Sequence, residues 1–236
     1  MEANAVTYIG IVQDHSGSMD SGGRSELALS NFNEQRATLL KEDDETMDNL
    51  VTIVEFDDQI HCNVENMPIS EVKKMKNWWC GGMTALYDAI AFCINNIKEK
   101  MSKDKRENKA ALIIVQTDGQ ENTSTDYAGE EGRLAINKMI NELEDTKIWS
   151  FVFLGENIDK EVAIEMGFKS HNTMSCDSIG LAAAYNCGSR GLSSYMGTRK
   201  AGGTQTMAFY HADDSTAKKP NSPWTINNSG DNDDNN

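Results

Sequence analysis

Several large classes of protein are excluded by what this sequence lacks. Its five cysteines (Cys62, Cys80, Cys93, Cys176 and Cys187) contain no C-x-x-C pair. The odd count and the missing pair argue against a disulfide framework and against a zinc knuckle. Basic residues are scarce: 22 Lys and Arg stand against 37 Asp and Glu, a formal net charge of −15. Such a surface repels a phosphate backbone, so no nucleic-acid partner is expected. The densest basic stretch, residues 98–109, has acids mixed in and reads as a solvated helix end and loop. No apolar run is long enough to span a bilayer, and residues 1–14 have neither a basic start nor a long apolar core. No membrane insertion is expected, and a reducing, cytoplasmic setting is the default. There is no G-x-G-x-x-G or Walker pattern for phosphates and no G-x-S-x-G nucleophile elbow.

What is present is a regular alternation of apolar runs and helical stripes. Runs of strand length occur at residues 6–13, 50–56, 110–117, 148–154 and, more weakly, 168–174. Those that are nearly continuous in apolar character suit central parallel strands covered on both faces. A sixth run at 59–64 follows the short Asp57-Asp58 turn and suggests an antiparallel hairpin with 50–56. Leu86, Ile90, Cys93, Ile94, Ile97 and Met101 form one helical stripe, and Ile136, Met139, Ile140 and Leu143 another. Residues 24–40 and 158–166 are further helical candidates. A C-terminal helix over 177–197 is weakened by Gly188 and Gly191, at roughly 1 kcal/mol each relative to Ala. The expected fold is therefore α/β: a doubly wound, Rossmann-like, mostly parallel sheet with one antiparallel edge strand and helices on both faces. It should occupy residues 1–200. Residues 201–236 form an acidic, Asn/Asp-rich segment expected to be a disordered tail.

Three polar loops fall at the carboxyl ends of predicted strands, where doubly wound sheets bind ligands. The first strand runs into Asp14-His15-Ser16-Gly17-Ser18. The loop Gly81-Gly82-Met83-Thr84 opens the helix of Leu86, and the strand at 110–117 ends in Thr117-Asp118-Gly119. Asp14, Ser16, Ser18, Thr84 and Asp118 offer only oxygen, which suits Mg²⁺, Mn²⁺ or Ca²⁺ better than zinc. Each also has an ordinary structural role: Asp14 and Ser16 in turn bonds, Thr84 as a helix cap, Asp118-Gly119 as a turn.

The D-x-S-x-S turn, the G-G-x-T-A-L-Y-D-A-I helix start and the T-D-G strand end together resemble von Willebrand factor A (VWA) domains and their metal-ion-dependent adhesion site. The likeness covers roughly residues 5–200 and is strongest in the three loops. Stand-alone VWA proteins of this size look like bacterial or phage-type intracellular adaptors. The resemblance implies Mg²⁺ or Mn²⁺ held directly by Ser16 and Ser18, with Thr84, Asp14 and Asp118 acting directly or through water. It also implies a protein partner whose Asp or Glu carboxylate completes the ion's shell, and a C-terminal helix whose movement is coupled to coordination in members that switch. The expectation is a binding module and a monomer. An enzyme is disfavoured because a phosphoaspartyl hydrolase would want an acid two residues after Asp14, where Ser16 stands. A metal-independent scaffold is the other alternative. Around the loops, His15 is expected to point outward, and Trp78, Trp79 and Glu121 are candidates for a partner-contact rim.

Overall fold

The structure is a computed structural model and describes residues 5–206 and 208–210. Six strands form one sheet in the order β3-β2-β1-β4-β5-β6. They are β1 (Ala5–Asp14), β2 (Met47–Phe56), β3 (Ile60–Pro68), β4 (Asn108–Thr117), β5 (Trp149–Glu156) and β6 (Thr173–Cys176). All neighbours are parallel except β2 and β3, which form the antiparallel hairpin at one edge. Every residue of β1 is buried, as a central strand flanked on both sides requires.

The helices are α1 (Arg24–Lys41), α2 (Leu86–Lys103), α3 (Gly129–Asp145), α4 (Lys160–Glu165) and α5 (Leu181–Lys200). The stripe of α2 and the buried Ile136 and Ile140 of α3 cover one face together with Phe151, Phe153 and Phe168. Phe32 and Leu39 of α1 and Leu192, Tyr195 and Met196 of α5 cover the other. The α/β architecture expected from the sequence is the one observed.

The direction in which successive strands are added reverses between β1 and β4, which run parallel and pair in register up to Gln13 and Gln116. The carboxyl ends of these two strands form the switch point at which such sheets leave a crevice.

Some elements differ from the expectation. The last strand begins at Thr173, because Phe168 is drawn into the core against Phe151 and Phe153 instead of entering the sheet. Residues 69–85 form neither helix nor strand, so Trp78 and Trp79 lie on an irregular strap anchored by buried Ile69 and Val72. Helix α5 runs unbroken through Gly188 and Gly191, since tertiary packing outweighs propensity. Gly191 is needed for that packing: a Cβ there would lie 2.5 Å from the Phe209 carbonyl oxygen and 2.6 Å from its ring.

Phe209 is 1 % exposed, and Gln205 Nε2 donates to the carbonyls of Glu144 and Trp149. Residues just past 200 are thus packed against the domain, while most of the tail expected over 201–236 lies outside the described residues. Gly191→Ala should displace the Phe209 segment and cost about 1–3 kcal/mol, measurable by urea denaturation.

Candidate metal centre

The first loop is shaped by its own backbone donors. Asp14, 1 % exposed, accepts the Ser16 N–H on Oδ1 at 2.7 Å, the turn bond expected of an Asp after a strand. Its Oδ2 accepts the Thr117 hydroxyl from the neighbouring strand β4. Ser16 Oγ lies 3.0 Å from Ser18 Oγ, and Ser18 Oγ donates to Asp118 Oδ1 at 2.6 Å. Thr84 reaches the same place from the second loop: a Cβ on Gly119 would lie 3.1 Å from Thr84 Oγ1 and 3.8 Å from Asp14 Oδ2. The structure therefore brings all five predicted residues together.

Thr84 is not tied up as a helix cap. The N-cap position of α2 is Ala85, and no side chain caps it. Thr84 is instead held by its main chain, its N–H donating to Asn122 Oδ1 at 2.8 Å and its carbonyl accepting the Asn122 N–H at 3.1 Å.

The donor set fits a small hard cation. Cis oxygens of an octahedral shell with bonds of about 2.1 Å lie about 3 Å apart. The Ser16–Ser18 hydroxyl separation of 3.0 Å has that spacing. Burial pushes the Asp14 carboxyl up to about 6, against the Ser16 and Thr117 hydrogen bonds that pull it down. Burial likewise raises Asp118, whose Oδ2 has no hydrogen-bond donor. Both shifts reflect the cost of burial, which the hydrogen bonds and the nearby Arg24 offset only in part. Among the described residues no group of three or more His, Cys, Asp or Glu is arranged around one point, so an ion here would depend on the hydroxyls.

The surroundings correct three expectations. His15 does not point outward: it is fully buried, stacked on Trp78 at 4.1 Å and on Trp79 at 4.4 Å, with Nδ1 2.8 Å from the Trp79 carbonyl. Its main chain is bonded on both sides, N–H to Phe56 O and carbonyl to Gly81 N–H, which turns the ring inward. Burial lowers its pKa to about 4, so at neutral pH the ring is uncharged and makes no ion pair with Glu55, 3.9 Å away.

Glu121 is not a rim acid. Its carboxylate accepts the N–H groups of Thr123, Ser124 and Tyr87 and the Ser124 hydroxyl, stapling its loop to the start of α2. Of the tryptophans, Trp78 is half-buried and Trp79 is 37 % exposed; Met83, beside Thr84, is 50 % exposed. The apolar rim is therefore Trp79 and Met83.

Two residues of the centre were missed in the sequence. Arg24, at the start of α1, donates from Nε to Glu156 Oε1 at 2.8 Å and lies 3.5 Å from Asp118 Oδ2. Glu156, at the end of β5, is 2 % exposed. An acid ending an apolar strand beside the T-D-G strand was the available signal. Asp14, Asp118 and Glu156 line one cavity of about 10 Å³ beneath the loops, closed on one side by Leu181 and Tyr185 of α5.

Among the described residues no helix is long and apolar enough to cross a membrane. No protein-family model matches the chain, and no curated protein matches it. Solved structures do. The vWF domain of the type V pili tip protein Mfa5 from Porphyromonas gingivalis aligns with a TM-score of 0.61 at 10% identity, over 81% of this chain and 96% of that one. The pilus adhesin SpaC from Lactobacillus rhamnosus GG has a TM-score of 0.61 at 12% identity, over 81% of this chain and 31% of that one. Proximal thread matrix protein 1 from the mussel byssus, in a structure with a zinc-occupied MIDAS motif, has a TM-score of 0.53 at 14% identity, over 86% of this chain and 47% of that one. At such identities the likeness speaks for the backbone alone: this chain has the fold of the von Willebrand factor A domains.

Proposed function

We propose that this chain is a metal-dependent protein-binding module. In this reading Asp14, Ser16, Ser18, Thr84 and Asp118 hold Mg²⁺ or Mn²⁺, and the ion accepts an Asp or Glu carboxylate from a protein partner. The observation that carries it is that five oxygen-bearing side chains from three loops lie beside one another at the switch of the sheet. The mussel protein with a zinc-occupied MIDAS and the pilus adhesin lend support from the same fold. When bound, the ion supplies a Lewis-acidic position for a carboxylate. The chain orients the hydroxyls, keeps the carboxylates dry and presents Trp79 and Met83 as apolar contacts beside them.

Binding is favoured over catalysis by the residues themselves. Ser16 stands where an aspartyl-phosphate chemistry would want an acid, and the one imidazole in the loops is stacked between two tryptophans. A reducing compartment is part of the same reading, with Cys93, Cys176 and Cys187 buried in the fold. A monomer and an intracellular adaptor role belong to the same proposal.

The test is capture from lysate with wild type and Thr84→Ala, each with Mg²⁺ and with EDTA, alongside calorimetric titration of Mg²⁺. A partner held only by wild type with Mg²⁺ supports the reading. Equal capture in all arms would point to a metal-independent scaffold. Met83→Ser should weaken partner affinity about fivefold. Calorimetry should show Mg²⁺ affinity unchanged, since Met83 carries none of the ion's oxygens.

A further inference from the structure

Arg24 and Glu156 offer no place in the set of five oxygens, yet Glu156 lines the cavity beneath the loops with Asp14 and Asp118, and Arg24 is hydrogen-bonded to Glu156. The carboxylates of Asp14, Asp118 and Glu156 line one cavity. They are almost wholly removed from solvent: Asp14 is 1 % exposed, Glu156 2 %, and the Asp118 side chain 3 %. The Arg24 guanidinium is set against two of them, 2.8 Å from Glu156 Oε1 and 3.5 Å from Asp118 Oδ2. Glu156 Oε2 and Asp118 Oδ2 are both buried without a hydrogen-bond donor. With all groups ionised, three carboxylates and one guanidinium leave two negative charges, the complement of one divalent cation.

We propose that Arg24 is the charge-balancing and positioning residue of this centre, tuning it toward a partner carboxylate. The proposal rests on the ion site described under the proposed function. Arg24 cancels Glu156, so the pocket with its ion is neutral and an incoming carboxylate meets no net opposing charge. Without Arg24 the loaded pocket carries a net negative charge in a site of low dielectric, where like charges repel strongly. The cation would then be held more tightly, and the partner more weakly.

Arg24 also has a structural task that must be separated from this one. Its Nη1 donates to the carbonyls of Ser18 and Ser21 at 3.2 and 3.4 Å, and Nη2 to Ser178 Oγ at 3.3 Å. A clasp of that kind, once lost, is not restored by neutralising Glu156. A charge imbalance is.

The experiment is calorimetric titration of the full chain with Mn²⁺ alone at low ionic strength. The proteins are wild type, Arg24→Gln, Arg24→Lys, Glu156→Gln, the double variant Arg24→Gln/Glu156→Gln, and Asp14→Ala. Arg24→Gln should bind Mn²⁺ on the order of tenfold more tightly than wild type, and Glu156→Gln on the order of tenfold more weakly. The double variant should return to near the wild-type affinity, and Arg24→Lys should stay there. Melting in EDTA gives a second readout: Arg24→Gln should be destabilised and the double variant restored.

Wild-type Mn²⁺ binding that Asp14→Ala removes, with Arg24→Gln equal to or weaker than wild type, would overturn the role of Arg24 and leave the ion site standing. A double variant no closer to wild type than Arg24→Gln would reduce Arg24 to a clasp. No Mn²⁺ binding by wild type would overturn both readings.

Discussion

Replacing Asp14 by Asn should raise the thermal stability of the metal-free protein and at the same time remove its response to Mg²⁺. Asp14 is 1 % exposed, and burial lifts its carboxyl from 3.8 to about 6. The folded state therefore holds a proton between these values that the unfolded state has released. By linkage, stability falls as pH rises through that window, and the full cost is present at pH 7. For a shift of this size the cost is on the order of 2 kcal/mol after local relaxation. Asn keeps an acceptor for the Ser16 N–H and carries no charge, so it escapes the cost. It also forfeits one of the two carboxylates offered to the ion, which should lower Mg²⁺ affinity by more than about a hundredfold.

Two melting curves, in EDTA and in millimolar Mg²⁺, check both halves. The wild type should melt lower in EDTA and gain with Mg²⁺, because a ligand that binds only the native state stabilises it. The variant should start higher and stay flat. A variant that melts below wild type in EDTA would mean that the Ser16 and Thr117 bonds outweigh desolvation. One that still responds to Mg²⁺ would place the ion elsewhere.

Arg199→Ala should cost about 3 kcal/mol, the largest loss of stability expected from a single change away from the metal centre. Arg199 is 1 % exposed near the end of α5. Its guanidinium donates to Thr7 Oγ1 at 2.9 Å, Val6 O at 3.0 Å, Asn108 Oδ1 at 2.9 Å and Gly203 O at 2.6 Å. Each of these acceptors is a neutral oxygen, and burial holds its pKa below the usual arginine value. Truncation leaves the acceptors without their donor and opens a cavity where a long side chain stood. Arg199→Lys should recover little, since a point ammonium cannot span a planar fork of acceptors. Urea denaturation should show the same loss in EDTA and in Mg²⁺, because the anchor sits at the amino ends of β1 and β4, opposite the loops.

That anchor bears on the helix movement implied by the resemblance to VWA domains. A slide of α5 along the sheet would have to break the three hydrogen bonds from Arg199 to Val6, Thr7 and Asn108 before it could carry Leu181 and Tyr185 at its other end. Hydrogen exchange should find the Arg199 end of α5 as protected as β1, and Arg199→Ala should lift that protection selectively.

The sequence by itself determined the α/β fold and the three polar loops at the carboxyl ends of its strands. Continuous apolar runs mark strands buried on both faces, helical spacing marks α2 and α3, and the polar turns fall where those runs end. These are local properties, fixed by the period of the backbone and the chemistry of consecutive residues. Only the tertiary structure decided where other side chains point and what they meet. His15 lies between two polar, exposed-looking neighbours in sequence, yet main-chain bonds to β2 and to the Gly81 loop turn its ring between Trp78 and Trp79. Glu121 reads as a surface acid until α2 and its own loop supply four donors. Gly191 reads as a helix weakness until Phe209 arrives against it. Arg24 and Glu156 stand 132 positions apart and become partners only because α1 and the end of β5 meet at the switch point. Pairings of that range carry no periodic signature: they arise when the chain closes on itself and buried charge must find its complement.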